Sequence, residues 1–407
     1  MKVQLAKDLQ DSPDGRVAAD IVRSCVHCGF CTATCPTYQL LGDDLDSPRG
    51  RIYLIKEVLE GVQPTARTQL HLDRCLTCRA CETTCPSGVQ YGRLIDIGRR
   101  IVEEKVDRSW GARLERAVLK RGLTGRLFGP TLRLGQWLRP LLPHTLRRKI
   151  PVRRDDAPRA RGRTHTRRML LPPGCVQPSL APEIDAATAY VLDALQIEAV
   201  IPKPACCGAL RHHLADHALD EIRRTIDSWW PHVESGVEAI VMNASGCGAM
   251  VKEYAYLLRD DPSYAPKAAR IAELTRDLAE LLPGHVEQLA QQVRRHAERV
   301  VFHPPCTLQH AQKVRGAVEQ ILESLGAVVL PFADSHLCCG SAGTYSILQP
   351  AVAEQLRERK LEALQEPRPD VILSANVGCI VHLAGASEIP VRHWIEWVAA
   401  RLPARPV

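Results

Sequence analysis

Eight of the sixteen cysteines in this 407-residue chain fall into two runs with one shared spacing. Cys25, Cys28, Cys31 and Cys35 are followed by Pro36, and Cys75, Cys78, Cys81 and Cys85 by Pro86, so each run reads C-x2-C-x2-C-x3-C-P. Cysteine is about 4% of the chain, well below the roughly 8–10% of small disulfide scaffolds. The opening MKVQLAKDLQ carries no apolar signal-like stretch, so a reducing cytosol is the expected compartment. Thiols in that setting are metal ligands or redox groups rather than staples.

Such short spacing wraps three thiolates around one face of a cubane, with backbone amides turned towards its sulfides. In two-cluster ferredoxins the fourth cysteine of each run ligates the other cluster. The expected sets are therefore Cys25, Cys28, Cys31 and Cys85 for one [4Fe–4S] centre, and Cys75, Cys78, Cys81 and Cys35 for the second. Structural zinc is the competing reading, but zinc ribbons use two cysteine pairs rather than four cysteines and a proline in each run. His27, inside the first run, is expected to pack near the centre rather than to ligate it. Between the runs, Asp46-Ser47-Pro48-Arg49 supplies a capping residue and an early proline before an apolar stretch to Leu59, with Gly61 as a stop, which predicts a helix.

The other eight cysteines record a duplication. Cys175, Cys206-Cys207-Gly208 and Cys247 recur as Cys306, Cys338-Cys339-Gly340 and Cys379, at offsets of 131, 132 and 132 residues. Within each copy short β-rich runs alternate with amphipathic stretches. The first copy predicts strands at 168–171, 198–201 and 238–243 with helices at 183–196 and 214–235. The second predicts strands at 299–302, 327–331 and 370–375 with helices at 309–325 and 350–366. That alternation implies parallel α/β units. Each cysteine falls just past a strand, where open α/β sheets bind ligands, so each set of four is expected to converge on one rim. These thiols are candidates for further metal or for a dithiol relay. His303, His310, His336 and His382 lie around the second set as candidate neighbours.

The expected fold class is α+β and multidomain. A mainly α-helical two-cluster domain spans 1–105, a basic connector 106–168, a first α/β cysteine-rich domain 169–260, a helical linker 261–298 and a second such domain 299–407. Formal charge is +7, yet residues 105–168 hold 19 Lys/Arg against Asp107, Glu115, Asp155 and Asp156, so the rest of the chain is acidic. A basic segment of this kind suits an acidic surface or a solvated linker. The stretch 127–146 is apolar with interspersed arginine and one tryptophan. It suits either an anionic lipid surface or packing on the protein, and its three prolines argue against one continuous helix. No apolar run reaches the roughly 18 residues needed to span a bilayer.

The cysteine runs resemble bacterial-type ferredoxin motifs in their α-helical variant, and the CCG triplets resemble the cysteine-rich CCG domain. The strings CVHCGFCTATCPTYQLLGD, SPRGRIYLIKEVLEG, HLDRCLTCRACETTCPSG, ASGCGAMVKEY, CTLQHAQK and DSHLCCGSAGTYS together resemble the iron–sulfur subunits of bacterial glycolate oxidase over nearly the whole chain. The resemblance implies an electron-transfer subunit with two [4Fe–4S] clusters. Its implied partners are two flavoprotein-type subunits, whose FAD oxidises glycolate to glyoxylate, and a quinone acceptor at the cytoplasmic face of the inner membrane. No nucleic-acid partner is implied. The chain itself has no G-x-G-x-x-G dinucleotide fingerprint. Related lactate or glycerol-3-phosphate systems, or a heterodisulfide-reductase-like thiol catalyst, are the alternatives. The chain departs from the fuller CCG pattern at Ala244 and Asn376, where some family members carry a fifth cysteine.

Overall fold

A computed structural model describes residues 1–125, 127–141, 164–216 and 218–403. The chain divides into two compact units. The smaller comprises Met1–Leu119 with Leu210–His217 and His336–Lys360; the larger comprises Lys120–Ala209, Ala218–Ser335 and Leu361–Val407.

The smaller unit is helical around its two cysteine loops. Its main helices are Pro13–Ser24, Pro48–Leu59, Ala66–Asp73 and Tyr91–Lys105. Two start alike: Ser12 and Ser47 are N-caps whose side chains accept the Gly15 and Gly50 amides, and proline follows each at the first helical position. Ala18, Val22, Ile52, Ile55, Leu59, Leu72, Leu94 and Val102 bury their side chains against one another, and Cys25, Cys75 and Cys81 join that core. Gly98 allows the last helix to approach: a Cβ there would lie 2.6 Å from Ile55 Cδ1.

The larger unit contains two four-stranded parallel sheets with one topology. In the first, β1 (Arg167–Leu170), β2 (Ile197–Val200), β3 (Ile240–Met242) and β4 (Thr275–Asp277) take the order β2-β1-β3-β4. In the second, β5 (Arg299–His303), β6 (Val328–Val329), β7 (Val371–Ser374) and β8 (Val391–His393) take the order β6-β5-β7-β8. The strand order turns back between β1 and β3, and again between β5 and β7. Open parallel sheets offer a ligand crevice at such a switch, beyond the carboxyl ends of the strands.

Three local expectations give way. The segment 261–298 is not purely helical, since it supplies β4, which pairs with β3 from Ile240↔Thr275 to Met242↔Asp277. The stretch 309–325 is two pieces, a π-turn at Thr307–Ala311 and a helix at Ala317–Ser324, separated by left-handed Lys313 and Gly316. The helix expected at 214–235 begins at Leu219, after a separate short helix, Ala209–His213. β8 has no counterpart among the sequence expectations.

In the basic segment, Trp110–Thr124 and Phe128–Leu138 are helices; Trp110 and Trp137 are exposed on them, and Leu127, the N-cap of the second, is exposed as well. Residues 142–163, and with them the end of the 127–146 stretch, lie outside the described residues. Among the described residues no helix is long and apolar enough to cross a membrane.

Candidate metal centres

The two cysteine loops share one backbone device. His27 and Gly29 in the first, and Thr77 and Arg79 in the second, are left-handed, with φ of 58°, 86°, 52° and 59°. Left-handed residues at alternate positions curl a loop so that successive amides face inward, the geometry of an anion-binding nest. Accordingly the Thr77 amide donates to Cys75 Sγ at 3.4 Å.

Cys25, Cys28 and Cys31 line one pocket, and two thiols of the second run, Cys81 and Cys85, also lie on its wall. His27, Arg49, Ile52, Pro86 and Tyr91 are among the other residues of its lining. Burial, followed by the neighbouring Cys25 and Cys35, pushes the Cys31 thiol up to about 11. The second set is deeper. Burial pushes Cys81 well above the usual thiol range, and the charges of Cys78, Cys75 and Cys35 add to the effect. Cys35 is likewise raised by burial, and it lies near Cys78. So Cys35 of the first run sits with Cys75, Cys78 and Cys81. Thiolates gathered in so dry a place need a positive centre between them. An all-sulfur donor set of this kind fits an iron–sulfur group.

A polar network that the cysteine spacing does not reveal supports the deeper set. Arg51 is 1% exposed and donates to the His71 carbonyl, to Thr37 Oγ1 and to Asp46 Oδ1. Thr37 Oγ1 is 3.3 Å from Cys35 Sγ, and the Tyr91 hydroxyl donates to Cys75 Sγ at 3.6 Å. Asp46, fully buried, is also held by Arg74 at 2.9 Å and His71 at 3.1 Å. Burial alone would lower the Arg51 pKa, but Tyr91, Cys75, Cys35 and Asp46 outweigh it and keep the guanidinium charged. The signal for Arg51 was present in the sequence: a cation four residues before Ile55 and eight before Leu59, on the apolar face of its helix.

In the larger unit, Cys175 follows β1, Cys206 and Cys207 follow β2, and Cys247 lies in the first turn of the helix Ser245–Lys252 after β3. Their thiols are close enough to perturb one another: the neighbouring Cys175 and Cys207 thiols pull Cys206 down, whereas Cys175 and Cys207 are pushed up. Gly208, at φ 87°, turns its amide onto Cys206 Sγ at 3.5 Å. The second triplet repeats this turn, with Gly340 at φ 89° and its amide 3.4 Å from Cys338 Sγ.

Cys306 follows β5, and Cys379 sits in the first turn of Val377–Ala384 after β7; both belong to the larger unit, whereas Cys338 and Cys339 belong to the smaller. Asn376, where a fifth cysteine is missing, caps that helix and donates to Cys379 Sγ at 3.5 Å. The two repeats meet here: Asn376 Oδ1 accepts the Gly246 amide, and Ser245 Oγ is 2.8 Å from Thr307 Oγ1. Of the histidines, His303 is buried against Ser374 Oγ at 3.0 Å and His310 is buried in the π-turn.

Residues 21–89 match the family described as 4Fe-4S dicluster domain, and residues 170–252 and 300–384 each match Cysteine-rich domain. Over 406 residues the chain is 51% identical to the glycolate oxidase iron-sulfur subunit of Escherichia coli K12, covering 99% of both chains. It is 30% identical to the probable glycolate oxidase iron-sulfur subunit of Bacillus subtilis, over 93% of this chain and 91% of that one. Lactate utilization protein A of Bacillus licheniformis is 27% identical over 52% of this chain. With four-cysteine loops, duplicated cysteine-rich sheets and identity along its whole length, the chain belongs to the family of glycolate oxidase iron–sulfur subunits.

Proposed function

We propose that the chain is the electron-transfer subunit of a complex that oxidises glycolate to glyoxylate, with flavin chemistry on two partner subunits and a quinone as acceptor. The observation that carries the reading is the exchange of fourth cysteines: Cys85 lines the pocket of Cys25, Cys28 and Cys31, while Cys35 sits with Cys75, Cys78 and Cys81. These two sets are assigned as the ligands of the two [4Fe–4S] groups. When bound, such groups exchange single electrons, which lets the two electrons of one glycolate leave a flavin one after the other. The chain's own residues hold the thiols, direct the Thr77 amide and the Tyr91 hydroxyl at Cys75, and keep Arg51 charged beside the deeper set.

Cys175, Cys206, Cys207 and Cys247 are assigned as a further redox or metal site. Exposed Leu127 and Trp137, within the basic segment of the chain, support peripheral association with an anionic membrane face, where a quinone is reached. The test mixes the anaerobic subunit with its flavoprotein partners and adds glycolate. Bleaching of the iron–sulfur absorption that requires both partner and glycolate is expected. Bleaching by lactate or glycerol 3-phosphate but not glycolate would reassign the substrate, and reduction of a disulfide substrate without any partner would favour a thiol catalyst.

A further inference from the structure

One buried carboxylate in the smaller unit belongs to a side-chain group that contains no cysteine. Asp96, on the helix Tyr91–Lys105, is 8% exposed, and its Oδ1 has no hydrogen-bond partner within the protein. An ionised carboxylate left half-unpaired in a dry place is costly, and a bound cation is a standard remedy. Two imidazoles face it. His212 Nε2 is 3.1 Å from Asp96 Oδ2 and His213 Nδ1 is 3.6 Å from Asp96 Oδ1. One ligand atom from each of the three residues lies within 4.8 Å of the others.

The histidines are consecutive on the short helix Ala209–His213, yet their rings stand edge to face, at 63° with centroids 5.5 Å apart, so different nitrogens converge on one carboxylate. Arg99, three residues on in the same helix, is turned elsewhere: it donates to the carbonyls of Leu72 and Cys75 and to Thr77 Oγ1. The His213 side chain is 44% exposed, which leaves water a path to a fourth position. A second carboxylate–histidine group, Asp43, Asp46 and His71, makes the contrast, because the guanidiniums of Arg51 and Arg74 already neutralise Asp46 and leave no place for an ion.

We propose that Asp96, His212 and His213 form a mononuclear zinc site that ties the segment Leu210–His217 to the helix Tyr91–Lys105. Two imidazoles, one carboxylate and a water make a four-coordinate set that zinc accepts. The segment it fastens begins three residues after Cys207 in the sequence. The inference stands on this geometry alone and is independent of the substrate assigned to the complex.

The test uses the full chain, purified without oxygen and equilibrated with a small excess of Zn²⁺ before gel filtration. Zinc and iron per chain are then counted in wild type, in Asp96→Asn and in the double variant His212→Gln/His213→Gln. The expected result is one zinc fewer per chain in each variant, with iron unchanged. The histidine pair, lying on a surface segment, keeps the test decisive if Asp96→Asn folds poorly. Zinc-edge absorption of the wild type should contain a shell of nitrogen and oxygen scatterers that the double variant lacks. Equal zinc in wild type and the histidine variant, or a wild-type shell of sulfur only, overturns the proposal.

Discussion

Replacing Arg51 with glutamine should lower the reduction potential of the centre held by Cys35, Cys75, Cys78 and Cys81. Arg51 reaches Thr37 Oγ1 at 3.2 Å, and that hydroxyl lies 3.3 Å from Cys35 Sγ. A unit charge about 6 Å from the sulfur, at an effective dielectric near 20, interacts by roughly 3 kcal/mol. For a one-electron couple, where tenfold is 59 mV, the same energy is on the order of 100 mV. The sign follows from charge: reduction adds an electron, a buried cation favours the reduced form, and its removal favours the oxidised one. Asp46 keeps Arg74 and His71 as partners in the variant, so the change is close to the loss of a single charge. The assay is a redox titration followed by electron paramagnetic resonance on Arg51→Gln and Arg51→Lys, each with iron content checked first. Glutamine should shift one of the two signals downwards, and lysine should restore most of the loss. Two unmoved potentials in a fully loaded Arg51→Gln protein would refute the reasoning.

Three further expectations follow from single residues. Cys85→Ser should perturb the signal of the centre that Cys25, Cys28 and Cys31 line, although Cys85 lies in the other run; a change confined to the other signal would contradict the exchange. Gly340→Ala would place a Cβ 2.5 Å from the Ala353 carbonyl oxygen at φ 89°, so it should cost about 2 kcal/mol or more and lower the urea midpoint. Gly343→Ala, at φ 63° with open space around it, should cost less, and equal effects would show that the collision is not the cause. Burial holds the Asp185 carboxyl up at about 6, despite hydrogen bonds from Asn243 and Gln177, so the folded chain keeps a proton that the unfolded chain releases near its ordinary value of 3.8. Stability should therefore fall as pH rises between about 4 and 6, by up to roughly 3 kcal/mol, and stay reduced above that. Melting temperatures of wild type and Asp185→Asn across that range check it, and parallel curves would count against it.

What the sequence revealed was whatever depends on local spacing. Ser47-Pro48 and the apolar stretch behind it are the N-cap and body of the helix Pro48–Leu59. The β-rich runs at 168–171 and 299–302 fall on β1 and β5, because buried parallel strands are short and apolar in sequence. Features made by distant residues were hidden. β4 and β8 are three residues each and owe their pairing to neighbouring strands rather than to composition. The Arg51–Asp46–His71 network joins three stretches, and only Arg51 betrays itself, as a charge on an apolar face. Asp96 and His212 are 116 residues apart, and nothing in either segment announces the other. Asn376 read as a departure from a cysteine pattern, yet its amide supplies a donor to Cys379.

The most direct test of the central claim is the amount of iron, acid-labile sulfide and zinc per chain in protein purified without oxygen. About eight irons and eight sulfides are predicted for two [4Fe–4S] groups, and a larger number would mean that the CCG cysteines carry iron as well. Zinc without sulfide would contradict the account of this chain as an electron carrier.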